Sequence, residues 1–322
     1  MKLIITIDTE EDNWDLYSAT DNPVSNIDKI IPLQILFDKY GIRPTYLITY
    51  PVATNPASRE ILKRILGENK CEIGMHCHPW NTPPFKEEIN AVNSMLCNLP
   101  EQLIIDKLRT LSQVIEQNFG VTPRSFRAGR WGFSPVVAKA LYQVGCHVDS
   151  SVSPFVNWRE YHGPDYSTFQ LYPYRFDPGD IKTPNDQGVL MEVPATVGFL
   201  QNNFERCQLL TKKLEGKVGK NLYLKGLLHK LKLLNKVWLS PELSSASDMI
   251  RLARRIRGMN YPFLNMSFHS TTLRAGLSPF VKDKADEEKF IRKIDDFLSF
   301  TTEAGFQSVT LSQCYRPLEP SV

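Results

Sequence analysis

Two short stretches of the chain place metal-binding side chains at alternate positions. His76 and His78 end one apolar run, and Asp8 and Glu10 end another that covers residues 3–7. Side chains of an extended segment alternate between its two faces, so the members of each pair can project from the same side of the backbone. Imidazoles and carboxylates from separate strands are the ligands of hydrolytic zinc sites, which keep one position open for water. The spacing therefore predicts a metal-dependent hydrolase.

Short apolar runs alternate with helix-like stretches along most of the chain. Several runs are apolar at consecutive positions, which is typical of strands buried on both faces of a parallel sheet. The predicted strands cover residues 2–7, 44–50, 71–76, 125–128, 146–151, 189–195, 263–269 and 307–311, and the predicted helices cover 26–39, 57–68, 101–118, 134–144, 247–257 and 284–304. This alternation predicts an α/β fold, an irregular (β/α)7–8 barrel that forms a single domain over residues 1–322.

Several polar residues that could take part in catalysis or ligand binding lie at the ends of the predicted strands. They are Asp8, His76, Arg127, Asp149 and His269. In (β/α) barrels the reactive groups collect where the strands end. We therefore expect these side chains to meet at one end of the barrel.

Residues 200–245 interrupt the alternation and form a predicted basic helical insertion within the barrel domain. Between residues 201 and 240 there are nine Lys or Arg and two acidic residues. Apolar side chains recur at helical spacing over 221–238, with lysines on the opposite face. Such a helix can pack on the barrel with a solvated lysine face, which we favour. It can also lie on an anionic membrane surface, which would make 221–238 a peripheral contact at the inner membrane face.

The overall composition is that of an ordinary globular protein. The chain is 42% hydrophobic and 23% charged, and its net charge of +3 gives no reason to expect a nucleic-acid partner. No run resembles a signal peptide or a membrane span, and the six cysteines include no CxxC pair. We expect a cytoplasmic protein with reduced thiols, in which Cys77 points away from the histidines beside it.

Five short motifs occur in a particular order along residues 3–270. They are TIDTE at 6–10, EIGMH at 72–76, FRAGRWG at 126–132, VDSSV at 148–152 and SFHS at 267–270. In this order they resemble the polysaccharide deacetylase family, the NodB-homology enzymes of carbohydrate esterase family 4. Residues 192–199 and 278–280 also resemble a bacterial branch that is linked to surface-polysaccharide synthesis. The resemblance implies an irregular barrel, a divalent metal ion and removal of acetyl groups from sugars.

The resemblance implies catalytic roles for three residues. Asp8 matches the general base of the family, Arg127 matches the arginine that steadies this base, and His269 matches the general acid. The Pro-Tyr pair that usually follows the arginine motif is replaced here by Gly-Arg-Trp.

The resemblance also implies a metal site with substituted ligands. His76 matches the first metal histidine of the family. The metal-binding aspartate is replaced by Thr9, so Glu10 is expected to bind in its place. The second histidine is replaced by Trp80, so His78 is expected to serve instead. The ion is expected to be zinc, and cobalt, nickel or iron would also suit these ligands.

Four residues near the motifs are expected to contact the substrate. They are Trp80, Arg130, Trp131 and Asp149. Tryptophan rings can stack on the apolar face of a sugar, although tryptophans are also common in protein cores. Asp149 can bind substrate hydroxyls or orient Arg127.

These observations favour one function over two alternatives. The favoured function is a carbohydrate deacetylase that acts on an acetylated amino sugar or glycan precursor. The first alternative is a metal-independent amidohydrolase that acts on a small cyclic amide. The second is a non-catalytic protein that binds sugar or a membrane surface. Each candidate residue alone also has an ordinary structural interpretation, such as a turn carboxylate or a hydrogen-bonded core histidine.

Overall fold

The computed structural model describes residues 1–215 and 234–315 of the chain. The strands of this part are β1 (Lys2–Thr9), β2 (Thr45–Ile48), β3 (Glu72–Cys77), β4 (Ser125–Ala128), β5 (Val148–Asp149), β6 (Tyr174–Phe176), β7 (Leu190–Glu192), β8 (Val197–Phe199), β9 (Lys236–Trp238), β10 (Phe263–His269) and β11 (Gln307–Ser308).

The α-helices of the described residues are α1 (Ile30–Lys39), α2 (Tyr50–Thr54), α3 (Pro56–Gly67), α4 (Glu101–Phe119), α5 (Pro135–Gln143), α6 (Phe204–Glu215), α7 (Ala246–Gly258) and α8 (Lys284–Glu303). Short 3-10 turns cover Ser25–Lys29, Pro79–Asn81, Leu96–Asn98, Gly129–Trp131, Arg159–Tyr161, Ser270–Leu273 and Ser312–Cys314.

One sheet contains nine of the described strands, in the order β10-β1-β2-β3-β4-β5-β7-β6, with β11 also paired to β1. The pairings from β10 to β7 are parallel, and β6 runs antiparallel to β7. The main-chain N–H of Thr196 donates to the carbonyl of Asn265 at 3.1 Å, so the chain after β7 reaches across to β10. The predicted α/β fold, an irregular (β/α) barrel, is therefore confirmed.

The alternation along β1 shows how the sheet separates two environments. Leu3, Ile5 and Ile7 belong to the large apolar core between the sheet and the helices. Ile4 faces the other way and joins a small apolar cluster inside the barrel. Asp8 has the same parity as Ile4 and therefore stands at the end of the interior face.

Four glycines that follow helices adopt the left-handed conformation that is common at helix C-termini. Gly41, Gly120, Gly145 and Gly305 have φ angles between 63° and 77°. Gly67 does not fit this pattern, because it is the last residue of α3 and the left-handed residue is Asn69, with φ 56°. Asparagine tolerates this conformation better than most residues, so the left-handed position lies two residues beyond the glycine.

The predicted basic insertion is only partly described. Residues 216–233 lie outside the described part, so the proposed membrane contact over 221–238 falls mostly on residues of which the structure says nothing. The helix predicted over 221–238 is wrong at its C-terminal end, because Lys236–Trp238 is a strand that pairs antiparallel with β8. Among the described residues, no helix has the length and apolar character needed to cross a bilayer.

Candidate active site

Strand register brings the predicted residues to one end of the barrel. Asp8 pairs with His269 across β1 and β10, and His76 pairs with Arg127 across β3 and β4. On β3, Cys77 packs into the outer core, so the histidines on either side of it face the interior. The predicted orientation of Cys77 is therefore confirmed.

Asp8 and Arg127 form a buried ion pair. Arg127 Nη1 lies 2.7 Å from Asp8 Oδ1, and the arginine side chain is 1% exposed. Its Nε donates to the carbonyl of Ser150 at 2.8 Å, and its Nη2 donates to Thr6 Oγ1 at 2.7 Å, which fixes the guanidinium plane. Burial alone would raise the pKa of Asp8, but Arg127 and the nearby histidines outweigh burial and lower it to about 2.

Glu10, His76 and His78 converge on one point. One ligand atom from each lies within 4.8 Å of the others, and all three residues are buried. The two Nε2 atoms are 3.0 Å apart, and Glu10 Oε2 lies 3.6 Å from His76 Nε2 and 3.4 Å from His78 Nε2. The main-chain N–H of Glu10 donates to Ser270 Oγ at 3.0 Å, which anchors the carboxylate after the strand ends.

The outer nitrogens of both rings already have acceptors. His76 Nδ1 donates to the carbonyl of Arg127 at 2.9 Å, and His78 Nδ1 donates to Glu11 Oε1 at 2.8 Å. In the neutral rings both Nε2 atoms therefore carry lone pairs that face each other and the Glu10 carboxylate. Burial lowers the pKa of His76, which favours this neutral form.

This donor set fits a divalent cation. Two imidazole nitrogens on one tetrahedral zinc ion lie about 3.3 Å apart, close to the 3.0 Å between the two Nε2 atoms. Burial, together with the carboxylates of Glu11 and Asp8, raises the pKa of Glu10 to about 8. A positive ion between these groups would relieve both the lone-pair repulsion and the crowding of carboxylates. Ligands tethered through their outer atoms are typical of metal sites.

The position of His78 depends on two neighbours. Trp80 stacks on the imidazole, with ring centroids 4.2 Å apart and planes inclined by 26°. Gly129 is the second neighbour, because a Cβ there would lie 2.4 Å from His78 Cδ2 and 2.8 Å from the carbonyl oxygen of Cys77. Only glycine leaves room for the ring at this position.

His269 is paired with a carboxylate that the sequence analysis did not identify. Both oxygens of Glu242 lie 3.1 Å from His269 Nδ1, and Nε2 lies 3.8 Å from Asp8 Oδ2. Burial opposes the charged imidazolium, but Glu242, Glu10 and Asp8 outweigh burial and raise the pKa of His269 to about 10. A quarter of the side chain is exposed, so the protonated ring is accessible from the cavity.

A cavity of about 450 Å³ opens above these groups. It is lined by Asp8, Glu10, His76, His78, Glu242 and His269. All five tryptophans of the chain also line it, namely Trp14, Trp80, Trp131, Trp158 and Trp238. The chemistry therefore lies within a largely aromatic pocket, which suits a sugar ring more than a strongly hydrated small ion.

The predicted substrate residues separate into two groups. Trp80, Arg130 and Trp131 line the cavity. Asp149 does not, because its side chain is 1% exposed and accepts from Ser151 Oγ at 2.6 Å. Burial and the adjacent carboxyl group raise the pKa of Glu192, and burial raises that of Asp149, so these two acids form an internal pair. The expected contact between Asp149 and substrate is therefore not supported.

The sequence analysis did not identify two further residues of the site. Glu11 follows Glu10 directly, and strand alternation would have placed it on the opposite face, but β1 ends at Thr9 and the chain turns. Glu242 lies in the segment between β9 and α7, 27 positions before His269, and carries no local signal. The acidic pair after β1 could have indicated Glu11, whereas only the folded chain identifies Glu242.

Comparison with known proteins places the fold among deacetylase-like structures. No protein-family model matches the chain, and no curated protein matches its sequence. A candidate polysaccharide deacetylase from Mycobacterium smegmatis is 14% identical, with a TM-score of 0.54 over 97% of this chain and 88% of the other. A candidate glycoside hydrolase/deacetylase from Parabacteroides distasonis is 12% identical, with a TM-score of 0.60 over 97% of this chain and 70% of the other. These similarities show a shared fold.

A more distant match is a pseudoenzyme of carbohydrate esterase family 4 from Bacillus anthracis. It is 11% identical, with a TM-score of 0.44 over 97% of this chain and 64% of the other. This match is too distant to inform the chemistry of the site.

Proposed function

We propose that this chain is a divergent member of carbohydrate esterase family 4 that removes an acetyl group from an amino sugar or glycan precursor. The observation that carries the proposal is one cavity that holds a tethered three-ligand cluster, an ionised carboxylate and a protonated histidine. The fold shared with two candidate deacetylases supports it. The motif resemblance favours a role in surface-polysaccharide synthesis.

Glu10, His76 and His78 would hold one divalent metal ion. Two neutral imidazoles and a carboxylate are a common zinc ligand set, and cobalt, nickel or iron can use the same atoms. When bound, such an ion polarises the acyl carbonyl and lowers the pKa of a coordinated water. Glu11 fixes the tautomer of His78, because its carboxylate accepts the Nδ1 proton.

Asp8 accepts the proton of the attacking water in this mechanism. Arg127 keeps Asp8 ionised at neutral pH, and the carboxylate lines the cavity. A carboxylate with a pKa of about 2 has little driving force to deprotonate ordinary water. Asp8 would therefore act as the base only on a water whose pKa is lowered by an ion held by Glu10, His76 and His78.

His269 donates a proton to the departing amine. The Glu242 carboxylate accepts the hydrogen bond from His269 Nδ1, so Nε2 is the nitrogen that faces the cavity and Asp8. The pKa of about 10 keeps the imidazolium charged at neutral pH. The acyl C–N bond breaks as the amine nitrogen takes this proton, and acetate retains the hydroxyl of the water.

Metal stoichiometry combined with acetate release tests the proposal. Elemental analysis should find about one divalent ion per chain, and His76→Ala should lose it. The metal-loaded protein should release acetate from oligomers of N-acetylglucosamine. If neither protein binds metal after incubation with zinc, the metal-dependent mechanism is wrong and metal-independent amide hydrolysis becomes the better proposal. Stoichiometric metal without acetate release from any acetylated sugar would contradict the deacetylase function.

A further inference from the structure

Most charges that line the cavity are already paired. Asp8 is paired with Arg127, Glu242 with His269, and Glu11 with His78. Among the cavity-lining residues of the described part, the single Lys or Arg is Arg130. No described carboxylate lies within ion-pair distance of its guanidinium, and the exposed Asp15, which also lines the cavity, is not bound to it.

The backbone at Arg130 adopts an unusual conformation. Arg130 and Trp131 have φ angles of 54° and 62°, so two consecutive residues with side chains are left-handed. This conformation is unfavourable for residues with side chains, and such residues cluster at functional sites. The turn is held by Gly132, whose N–H donates to the carbonyl of Gly129 at 3.1 Å, and by Tyr166, whose hydroxyl donates to the carbonyl of Trp131 at 2.7 Å.

The guanidinium of Arg130 is held along one edge only. Its Nη1 donates to Ser94 Oγ and to the carbonyl of Ala91, and its Cζ lies 5.3 Å from the centre of the Tyr17 ring. Nε and Nη2 have no hydrogen-bond acceptor among the described residues. The fork formed by two such N–H groups matches the two oxygens of a carboxylate or phosphate.

Arg130 stands close to the proposed metal ligands. The residue before it, Gly129, packs against the ring of His78. Tyr17, which supports the guanidinium, also contacts Trp80 with a centroid distance of 4.9 Å, and Trp80 stacks on His78. Because Arg130 and the cluster line the same cavity, one substrate molecule could contact both.

We propose that Arg130 binds an anionic group of the substrate, a carboxylate or a phosphate, next to the sugar that carries the acetyl group. This inference rests on the proposed function and narrows its substrate class to acidic acetylated glycans or sugar phosphates. Neutral acetylated oligosaccharides would still enter the aromatic cavity, but they would lack this contact. The free N–H groups would then remain solvated by water.

Binding of matched probes tests the proposal without needing turnover. Because all five tryptophans line the cavity, their fluorescence should report binding to the metal-loaded full-length protein. The carboxylate probe is a hyaluronan tetrasaccharide and its neutral match is chitotetraose. The phosphate probe is N-acetylglucosamine 1-phosphate, compared with N-acetylglucosamine. At least one anionic probe should bind about tenfold tighter than its neutral match, as expected for a partly exposed charged hydrogen bond of about 1.4 kcal/mol.

Two variants assign the preference to a residue. Arg130→Gln should abolish the tenfold preference, so that each anionic probe and its neutral match bind with equal affinity. Arg159→Gln removes the same charge from an exposed position outside the cavity and should retain the preference. Preference for only the carboxylate or only the phosphate identifies the anionic group and supports the proposal. Equal affinity of the wild-type protein for charged and neutral probes, or an unchanged preference in Arg130→Gln, would overturn it.

The anion-binding proposal and the proposed deacetylase function can fail independently of each other. If no probe releases acetate but the anionic preference depends on Arg130, the anion subsite stands and deacetylation fails. If acetate is released equally from charged and neutral substrates by wild type and Arg130→Gln, deacetylation stands and the subsite fails.

Discussion

Glu11 Oε1 lies 2.8 Å from His78 Nδ1, while Nε2 of the same ring faces His76 and Glu10. The carboxylate is buried, and although burial opposes ionisation, the adjacent His78 lowers the pKa of Glu11. A histidine held in this way presents an unprotonated nitrogen in a fixed direction. The second histidine of the cluster is therefore oriented by a residue that contributes no ligand atom of its own.

Glu11→Gln should weaken metal binding without removing a ligand. The amide can still accept a hydrogen bond, but it no longer favours the required tautomer through its charge. Loss of such a partner costs about 10–100-fold in metal affinity. Competitive titration with a zinc chelator measures the change, with Glu60→Gln, an exposed residue of α3, as the control. Equal zinc affinity in Glu11→Gln and wild type would contradict this role.

Gly129→Ala should abolish metal binding through steric conflict with His78. The added methyl would lie 2.4 Å from the His78 ring and 2.8 Å from a main-chain oxygen, so the ring must leave its position. Gly258→Ala is the matched control, because a methyl group added there would have no heavy atom within 4 Å. Zinc stoichiometry is the measurement, and circular dichroism checks that the variant is folded. A folded Gly129→Ala protein with full zinc occupancy would show that His78 is not a ligand.

Asp8→Asn should abolish turnover and retain the metal. The amide cannot accept a proton from water, and removal of a proton-transfer group costs about 10²–10⁴-fold in rate. The substitution also leaves Arg127 without its charged partner, so the melting temperature should fall. Acetate release and zinc content are measured on the same sample, with Asp248→Asn on the surface of α7 as the control. Full activity in Asp8→Asn would exclude Asp8 as the base.

Much of the fold could be predicted because its signals are local. Consecutive apolar residues in β1 and β3 and the 3.6-residue period of α4 and α8 depend only on neighbours in sequence. The three-residue strands β6, β8 and β9 were missed because a period of two cannot be recognised in so few residues. Trp238 shows the consequence, since the helical pattern includes it, whereas in the fold it lies on a short strand against the cavity.

The site could be predicted where its residues lie at the end of a strand or just after it. Asp8, His76 and His269 meet because parallel strands align their ends, which the apolar runs already implied. Asp149 satisfies the same rule, but its side chain is buried beside Glu192 and does not line the cavity. Glu242 comes from an irregular segment, so its contact with His269 follows from tertiary structure alone.

Lys107→Met should destabilise the fold through the loop that follows His78. The fully buried ammonium group of Lys107 binds the main-chain oxygens of Pro79 at 2.8 Å, Thr82 at 2.7 Å and Pro84 at 2.9 Å, and Glu87 Oε1 at 2.7 Å. Removal of one partner of a buried ion pair costs about 3–5 kcal/mol. Urea unfolding measures the loss, and Lys63→Met, which is exposed on α3, is the control.

A double variant separates the charge effect at Lys107 from lost packing. Glu87→Gln added to Lys107→Met removes the uncompensated buried carboxylate, so it should recover part of the lost stability. Lys107→Met with an unchanged urea midpoint would contradict the structural role of this contact.

Glu242→Gln should shift the alkaline limb of the pH profile of kcat/KM to lower pH. His269 acts as an acid only when protonated, and Glu242 is the main group that raises its pKa to about 10 against the effect of burial. In wild type, kcat/KM should therefore fall only as the pH approaches 10. The variant should lose activity at least about one pH unit earlier, since one unit of pKa corresponds to about 1.36 kcal/mol. The pH dependence of kcat/KM measures this shift.

The same ion pair links folding stability to pH. The pKa of His269 is raised above its ordinary value of 6.5, so the folded protein holds a proton that the unfolded chain releases between these pH values. The stabilisation is complete below pH 6.5 and is lost as the pH rises toward 10. Glu242→Gln should flatten this decline, whereas Glu205→Gln at the exposed start of α6 should not. An alkaline limb and a stability profile that both stay unchanged in Glu242→Gln would show that Glu242 does not hold the proton on His269.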